Sequence, residues 1–201
     1  MSRKQNIAIF ASVILIGSTY LLFQQVSRIF GDTLGWYIGL VLYWLIWCGA
    51  FTLWLIGKQN LRRIIRPRRL TLPVFLLLMI PIVGSLSYKL IPGMDYGQEK
   101  FWLALMVIST ALGNGFFEEV LWRGAYMELF PKNILFRIFW PSIWFALWHY
   151  VPASVSPGGN VIALMIGSGM FGFYLSYLAW KTNTIWWCIV AHIIGGSIMV
   201  I

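Results

Sequence analysis

The sequence predicts an all-α membrane protein, a polytopic helical bundle of about seven transmembrane helices with one interfacial helix. Of its 201 residues, 60% are hydrophobic and only 10% are charged, whereas a soluble domain is about half apolar and about a quarter charged. The apolar residues also form runs of about 20, the length that an α-helix needs to cross a bilayer. We therefore predict a single transmembrane domain over residues 1–201.

The predicted spans follow from the apolar runs, each of which is bounded by charged residues, proline or glycine. Seven transmembrane helices are predicted over residues 6–26, 35–57, 72–90, 101–122, 141–157, 161–180 and 184–201. The first run continues without a convincing cleavage site of small residues, so we expect it to be retained as a span.

The fifth span has the least obvious start, because Arg137 and Pro141 interrupt its apolar run. Proline suits the first turn of a helix, so we begin this span at Pro141. Residues 131–140 are then predicted to form the interfacial helix, with Lys132 and Arg137 facing lipid headgroups.

The net charge of +9 is concentrated in short loops between apolar runs. That pattern is typical of the cytoplasmic ends of membrane helices, so we expect no nucleic-acid partner. With the N-terminus inside, eleven cations lie in inner segments and three, Arg28, Lys89 and Lys100, in outer loops. We therefore predict a cytoplasmic N-terminus. The cations in residues 58–69 would act as a topology anchor or, alternatively, as a site for anionic lipid.

Two adjacent glutamates, Glu118 and Glu119, lie in the fourth predicted span. A carboxylate at the bilayer centre costs about 2.5–3.5 kcal/mol on insertion scales, so intramembrane acids are functional candidates. Glu119 and Arg123 are four residues apart and can pair on one helix face. Glu118 lies about 100° further round an α-helix, so we expect it to point elsewhere and to accept a proton. The alternative is a structural ion pair near a helix end.

The chain has only two histidines, His149 and His192, and both lie in predicted spans. By helix rise each is about 12 Å from its predicted helix start, a depth similar to that of Glu118. One carboxylate and two imidazoles at one depth could activate water or bind a divalent metal such as Zn through Glu118, His149 and His192. Two alternatives remain. Each histidine could be a satisfied core residue, and a helix beginning at Ile134 would place His149 near the outer face.

These residues form three motifs in the predicted core of residues 101–201: Glu118-Glu119-x-x-x-Arg123, Phe145-x-x-x-His149, and His192. In order, spacing and placement over residues 116–196, they resemble the CPBP family. This family comprises the type II CAAX prenyl endopeptidases and the bacterial bacteriocin-processing and immunity proteins of the Abi group.

The resemblance implies an intramembrane endopeptidase that acts on a membrane-associated protein or peptide. It implies that Glu118 activates a water with help from His149, that Glu119 and Arg123 support it, and that His192 stabilises the oxyanion. Family members have been described both as metalloproteases and as metal-free glutamate proteases, so either no cofactor or a divalent metal is implied. Membrane lipids are the other expected partners, and the small size fits a bacterial plasma-membrane protein.

The chain departs from the family at the third motif, where the Asn four residues after His192 is replaced by Gly196. An oxyanion donor is worth about 10²–10³ in rate. Asn114, one turn before Glu118, could supply an amide or simply a helix–helix hydrogen bond. Ser197 is adjacent but rotated by about 100°. The remaining alternative is a weak or inactive relative that serves as a membrane immunity or regulatory protein.

A small proton-coupled transporter is a third functional class, because intramembrane Glu and His residues are compatible with it. The sequence shows no internal repeat and no pair of broken helices, the features that indicate such carriers. We therefore favour the endopeptidase.

Overall fold

The structure, a computed structural model, describes residues 1–89, 101–156 and 160–198, without the side chains of residues 85–89, 101–104, 107, 197 and 198. Within these ranges the chain is built from α-helices and contains no β-strand. The all-α helical bundle predicted from the sequence is confirmed. Lys100, which the sequence predicts to lie in an outer loop, lies outside the described residues.

The helices are numbered in chain order. They are α1 (Arg3–Phe30), α2 (Asp32–Ile56), α3 (Lys58–Ile65), α4 (Leu72–Lys89), α5 (101–129), α6 (135–148), α7 (Val161–Thr182) and α8 (Trp186–Ile198). A further helical turn, Tyr150–Ala153, follows α6. Helices α2, α5 and α6 contain π-helical segments, in which hydrogen bonds run from residue i to i+5.

Three of the described helices, α1, α2 and α7, are long and apolar enough to cross a membrane. Two shorter apolar stretches, Leu72–Gly84 and Trp186–Gly196, lie in α4 and α8. The chain is an integral membrane protein, and the count of seven spans stays a prediction. The last residues of the third, fifth and seventh predicted spans, which are 90, 157 and 199–201, lie outside the described residues.

Helix α1 extends along the bundle and contacts the helices at both ends. Its first turn is closed by a capping box between Ser2 and Gln5. Near this end, the Gln5 amide donates to the carbonyl of Leu129, the last residue of α5, over 2.6 Å. Near the other end, Gln24 donates to Ser154 over 3.0 Å. The C-terminus of α5 therefore lies at the same end of the bundle as the N-terminus of the chain.

The turn from α1 into α2 depends on glycine. Gly31 has a φ of 80°, in the region that L side chains rarely adopt. Gly35 packs so closely on the backbone of Ser27 that a Cβ atom would overlap it. The two helices therefore form a tight antiparallel hairpin.

The structure differs from the prediction at the fifth span, because residues 131–140 do not form a separate interfacial helix. Helix α6 begins at Leu135 and runs through Arg137 and Pro141. The guanidinium of Arg137 donates to the carbonyl of Pro131 over 2.8 Å and to the side chain of Asn183 over 3.3 Å. Since protein oxygens bind this cation, the helix can continue past it. The turn before Pro141 is π-helical, and proline has no N–H for that turn.

Candidate active site

The two adjacent glutamates lie in and directly after a π-helical segment of α5, Asn114–Glu118, and a second segment, Val120–Ala125, follows. A π-helical turn holds more residues than an α-helical one, so neighbouring side chains diverge by less than 100°. Glu118 and Glu119 are both buried, and both carboxylates approach α8. The ion pair with Arg123 is made by Glu119, while Oε2 of Glu118 lies 3.9 Å from Nε2 of His192, one of the two histidines that the sequence placed opposite Glu118.

Glu119 binds two partners through one oxygen. Arg123 donates from Nη1 to Oε1 of Glu119 over 3.0 Å. The Nδ1–H of His192 donates to the same oxygen over 2.8 Å. The guanidinium of Arg123 also lies over the Phe145 ring, 4.3 Å from its centroid. Arg123 therefore neutralises Glu119, and Glu119 orients the imidazole of His192.

Glu118 is held by a different helix. The indole N–H of Trp148 in α6 donates to Oε1 of Glu118 over 2.9 Å. Trp148 is itself stacked on the ring of Tyr43 in α2, with ring centroids 3.8 Å apart. The second oxygen, Oε2, lies 3.9 Å from Nε2 of His192. The imidazole of His192 thus presents one nitrogen to each glutamate.

His149 lies at the C-terminal end of α6, one residue after Trp148. Its Nδ1–H donates to the carbonyl of Phe145 over 2.7 Å, which leaves Nε2 as the nitrogen with the lone pair. The Phe145 ring packs edge-on against both imidazoles, at centroid distances of 4.5 Å to His149 and 6.2 Å to His192. Within the described residues, His149 makes no hydrogen bond or ion pair with Glu118.

Helix α6 begins near Ile134, but the depths of His149 and Glu118 along the bundle stay comparable because both helices are longer than predicted. From Leu135, His149 is about 21 Å along its helix. However, α5 also continues beyond the predicted end at residue 122 as far as Leu129, so Glu118 is about 16 Å from the same end of the bundle. Both side chains therefore lie deeper than predicted, and the neighbouring Trp148 reaches Glu118.

The buried cluster has hydrogen-bonding capacity that the described residues do not fill. The buried atoms without a hydrogen-bond partner there include Glu118 Oε2, Glu119 Oε2, Arg123 Nε and Arg123 Nη2. Buried polar groups in proteins are almost always paired, and an unpaired one is a candidate for binding water or a ligand. The cluster can therefore accept further hydrogen bonds at two carboxylate oxygens and donate them from two guanidinium nitrogens.

The set Glu118, His149 and His192 was predicted as a candidate metal site. The side chains of Glu118 and His192 approach each other, and both supply donor atoms that zinc accepts. No group of three or more His, Cys, Asp or Glu side chains in the described ranges has the arrangement of a metal site. In this arrangement the three residues do not form a preorganised metal site.

The third motif is incomplete in the structure as in the sequence. A Cβ atom on Gly196 would lie 3.7 Å from Cβ of Ala111, an ordinary packing distance. Asn114 lies in α5 between Ala111 and Glu118. Its side-chain oxygen accepts a hydrogen bond from the Trp44 indole N–H over 3.0 Å. It therefore makes a helix–helix hydrogen bond, and its amide nitrogen is the group that could donate to a substrate. The side chain of Ser197 is not among those described.

Two residues outside the predicted site also shape the cluster. One is Trp148, which directly precedes His149. Its presence in an apolar helix could have indicated a contact of this kind, because the N–H of a buried tryptophan usually finds an acceptor. Gly172 of α7 faces the cluster, and a Cβ atom there would lie 3.1 Å from both Arg123 Nη2 and Phe145 Cδ1. Nothing in the sequence indicates which side chains lie opposite this glycine.

The fold and the site define a class of protein, a membrane-embedded helical bundle that holds two carboxylates, an arginine and an imidazole in one buried cluster. Comparison with protein families assigns the chain more narrowly. Residues 100–197 match the family model described as type II CAAX prenyl endopeptidase Rce1-like, and this match supports the CAAX protease family for the chain. Searches of curated proteins and of solved structures gave no match. A match to this family supports intramembrane protease activity in general terms.

Proposed function

We propose that this protein is an endopeptidase that uses Glu118 as the general base for a water molecule. The observation that carries the proposal is that the two oxygens of the Glu118 carboxylate have different surroundings. One oxygen is held by Trp148, while the other is buried, has no hydrogen-bond partner among the described residues, and faces His192 at 3.9 Å. A fixed carboxylate with one available oxygen is suited to accept a proton from water.

In the proposed reaction, Glu118 Oε2 takes a proton from water as the water oxygen attacks the scissile carbonyl carbon. The tetrahedral intermediate that forms carries its negative charge on the former carbonyl oxygen. The C–N bond then breaks, and Glu118 passes its proton to the leaving amine. His149, whose Nε2 lone pair is available, helps to orient the water.

Glu119, Arg123 and His192 support this step. Arg123 neutralises Glu119, and Glu119 holds the Nδ1–H of His192. Nε2 of His192 therefore faces the reacting centre, and a His192 that carries both protons can donate to the oxyanion from that nitrogen. Preorganised donors of this kind act strongly in a site that excludes water.

Asn114 is the proposed second oxyanion donor in place of the missing family asparagine. Its oxygen is bound by Trp44, which leaves the amide N–H groups for the substrate. Asn114→Ala and Trp44→Phe both remove the helix–helix hydrogen bond, but only Asn114→Ala removes the amide donor. A larger loss of kcat in Asn114→Ala than in Trp44→Phe is expected. Equal losses would assign Asn114 to packing alone.

The proposed substrate is a membrane-associated protein or peptide, and the family description makes a prenylated C-terminus the first one to test. We further propose a bacterial plasma membrane as the location, with the N-terminus in the cytoplasm. The cations near the end of the bundle that holds the N-terminus support this orientation. We also propose that residues 1–201 form one domain, with the catalytic core in residues 101–201.

The test is cleavage of a farnesylated CAAX reporter peptide by the purified full chain in liposomes. Glu118→Gln and His149→Ala are expected to lower kcat, Glu118→Gln by about 10²-fold or more, since general-base catalysis contributes about 10²–10⁴. Glu128→Gln is the matched control, because this carboxylate pairs with Arg63 outside the cluster. Full activity in either Glu118→Gln or His149→Ala would refute the proposed mechanism.

A non-enzymatic immunity or regulatory protein of the same fold is the second candidate. Gly196 favours it, because the family's third motif lacks its amide in this chain. In that case Glu118→Gln would leave the cellular phenotype intact. Gly172→Leu, which would press on Arg123 and Phe145, would abolish it.

A further inference from the structure

A cavity of about 1010 Å³ lies at the end of the bundle that holds the N-terminus, and none of its lining residues belongs to the glutamate cluster. It is lined by α3, by the residues that follow α3 and by the start of α8. Five cations line it: Lys58, Arg62, Arg63, Arg66 and Arg68. These side chains are exposed, so their charges are available to a ligand.

Most of this positive charge has no acidic partner among the described residues. Arg63 pairs with Glu128 over 2.5 Å. The other four cations of the cavity form no ion pair in the described ranges. A concave surface with several uncompensated cations attracts an anion.

The backbone that presents these cations is fixed to the bundle. Ile64 is buried in the core, and its carbonyl accepts from the N–H of Ile185 and from the hydroxyl of Thr184, each over 2.9 Å. The same hydroxyl lies 2.9 Å from the carbonyl of Arg66. The cavity is therefore a formed feature of the fold.

The remaining walls are apolar. Leu53 at the end of α2, Leu61 of α3 and Trp186 of α8 line the cavity beside the cations. Leu53 is 43% exposed and sits in a helix long enough to span the bilayer. Cations beside apolar surface at the end of a membrane span match a ligand with an anionic head and an acyl chain. Soluble phosphate or an acidic peptide would leave the apolar wall without a partner.

We propose that this cavity binds an anionic phospholipid of the surrounding leaflet, with Arg62 and Arg66 contacting the phosphate and Trp186 beside the acyl chain. The site is separate from the proposed active site and does not depend on proteolysis. Its occupant is drawn from the membrane in which the protein sits.

The test uses the purified full chain in detergent, with phosphatidylglycerol and phosphatidylcholine as probes and native mass spectrometry as the readout. Each cation beside an anionic lipid is worth about five-fold in binding. The double variant Arg62→Gln/Arg66→Gln is therefore expected to bind phosphatidylglycerol about 25-fold more weakly. Lys132→Gln/Lys181→Gln is the matched control, because it removes the same charge from exposed positions outside this cavity.

Three outcomes would overturn the proposal. The first is an equal loss in the two double variants, which would indicate a general effect of net charge. The second is equal binding of phosphatidylcholine and phosphatidylglycerol by the unmodified chain. The third is displacement of phosphatidylglycerol by millimolar inorganic phosphate, which would identify an anion site without a lipid preference. Thermal unfolding of both variants verifies that they remain folded.

Discussion

The indole N–H of Trp148 donates to Oε1 of Glu118 over 2.9 Å, and this hydrogen bond joins α6 to the proposed base in α5. Trp148 is 1% exposed and is fixed by its stacking on Tyr43. Since the bond occupies one carboxylate oxygen, it directs the other toward His192. The orientation of Glu118 therefore depends on a residue outside the three sequence motifs.

Trp148→Phe is expected to lower kcat by about ten-fold or more and to change KM little. The substitution keeps an aromatic ring on Tyr43 but removes a hydrogen bond to a charged group, which is worth about 1.5–3 kcal/mol. The measurement is cleavage of the reporter peptide in liposomes. Trp122→Phe is the control, because this equally buried indole donates to the Tyr43 hydroxyl and not to a carboxylate. Similar losses of kcat in both variants would contradict a specific role for Trp148.

Arg123→Leu is expected to destabilise the protein by about 3–5 kcal/mol, because it leaves the buried Glu119 carboxylate without its cation. The double variant Glu119→Gln/Arg123→Leu is expected to lose less than the sum of the two single variants. Unfolding in detergent micelles measures all three. Arg63→Leu, which breaks the more exposed pair with Glu128, should cost about 1 kcal/mol or less. Strict additivity of Glu119→Gln and Arg123→Leu would mean that the two side chains are not coupled.

Gly172→Ala is expected to lower both stability and activity, since its Cβ atom would lie 3.1 Å from Arg123 Nη2 and Phe145 Cδ1. Overpacking of this kind costs about 1–3 kcal/mol. Gly167→Ala is the matched control in the same helix, because a Cβ atom at Gly167 has no neighbour within 4 Å. That variant should be neutral or slightly stabilised, as alanine favours helix. Thermal unfolding and reporter cleavage are both measured, and a neutral Gly172→Ala would show that α7 can shift away from the cluster.

Gly196→Asn is expected to raise kcat by about ten-fold or more. A Cβ atom fits beside Ala111 at 3.7 Å, and the substitution restores the family pattern of His followed four residues later by Asn. Oxyanion donors typically contribute about 10²–10³, so a partly aligned amide still has a measurable effect. Gly196→Ala supplies the same Cβ atom without the amide and should leave kcat unchanged. An equal response in both variants would exclude an oxyanion role at this position.

Much of the helix layout was predictable, because bilayer thickness and apolar run length together specify where helices lie. The observed α1, α2 and α7 agree with predicted spans to within a few residues at most ends. The fourth and fifth spans were exceptions, because α5 continues past residue 122 to Leu129 and α6 begins at Leu135 instead of Pro141. A sequence cannot show that the carbonyl of Pro131 and the side chain of Asn183 bind the Arg137 guanidinium, so Arg137 and Pro141 together predict a later helix start than the structure has.

The candidate site was predictable in its residue types but not in its contacts. Spacing of four residues correctly paired Glu119 with Arg123, because that geometry is local to one helix. Spacing within one helix could not predict that His192 contacts both glutamates, or that the indole of Trp148 donates a hydrogen bond to Glu118, because those contacts join different helices.

The sequence by itself determined the all-α membrane class and the few polar side chains available for chemistry, because charged groups are too costly in a bilayer to be placed without a partner or a use. Only the tertiary structure decided how those groups divide their roles. The packing of α2, α6 and α8 around α5 brings both carboxylates to one imidazole and sets which of their oxygens are hydrogen-bonded and which are not.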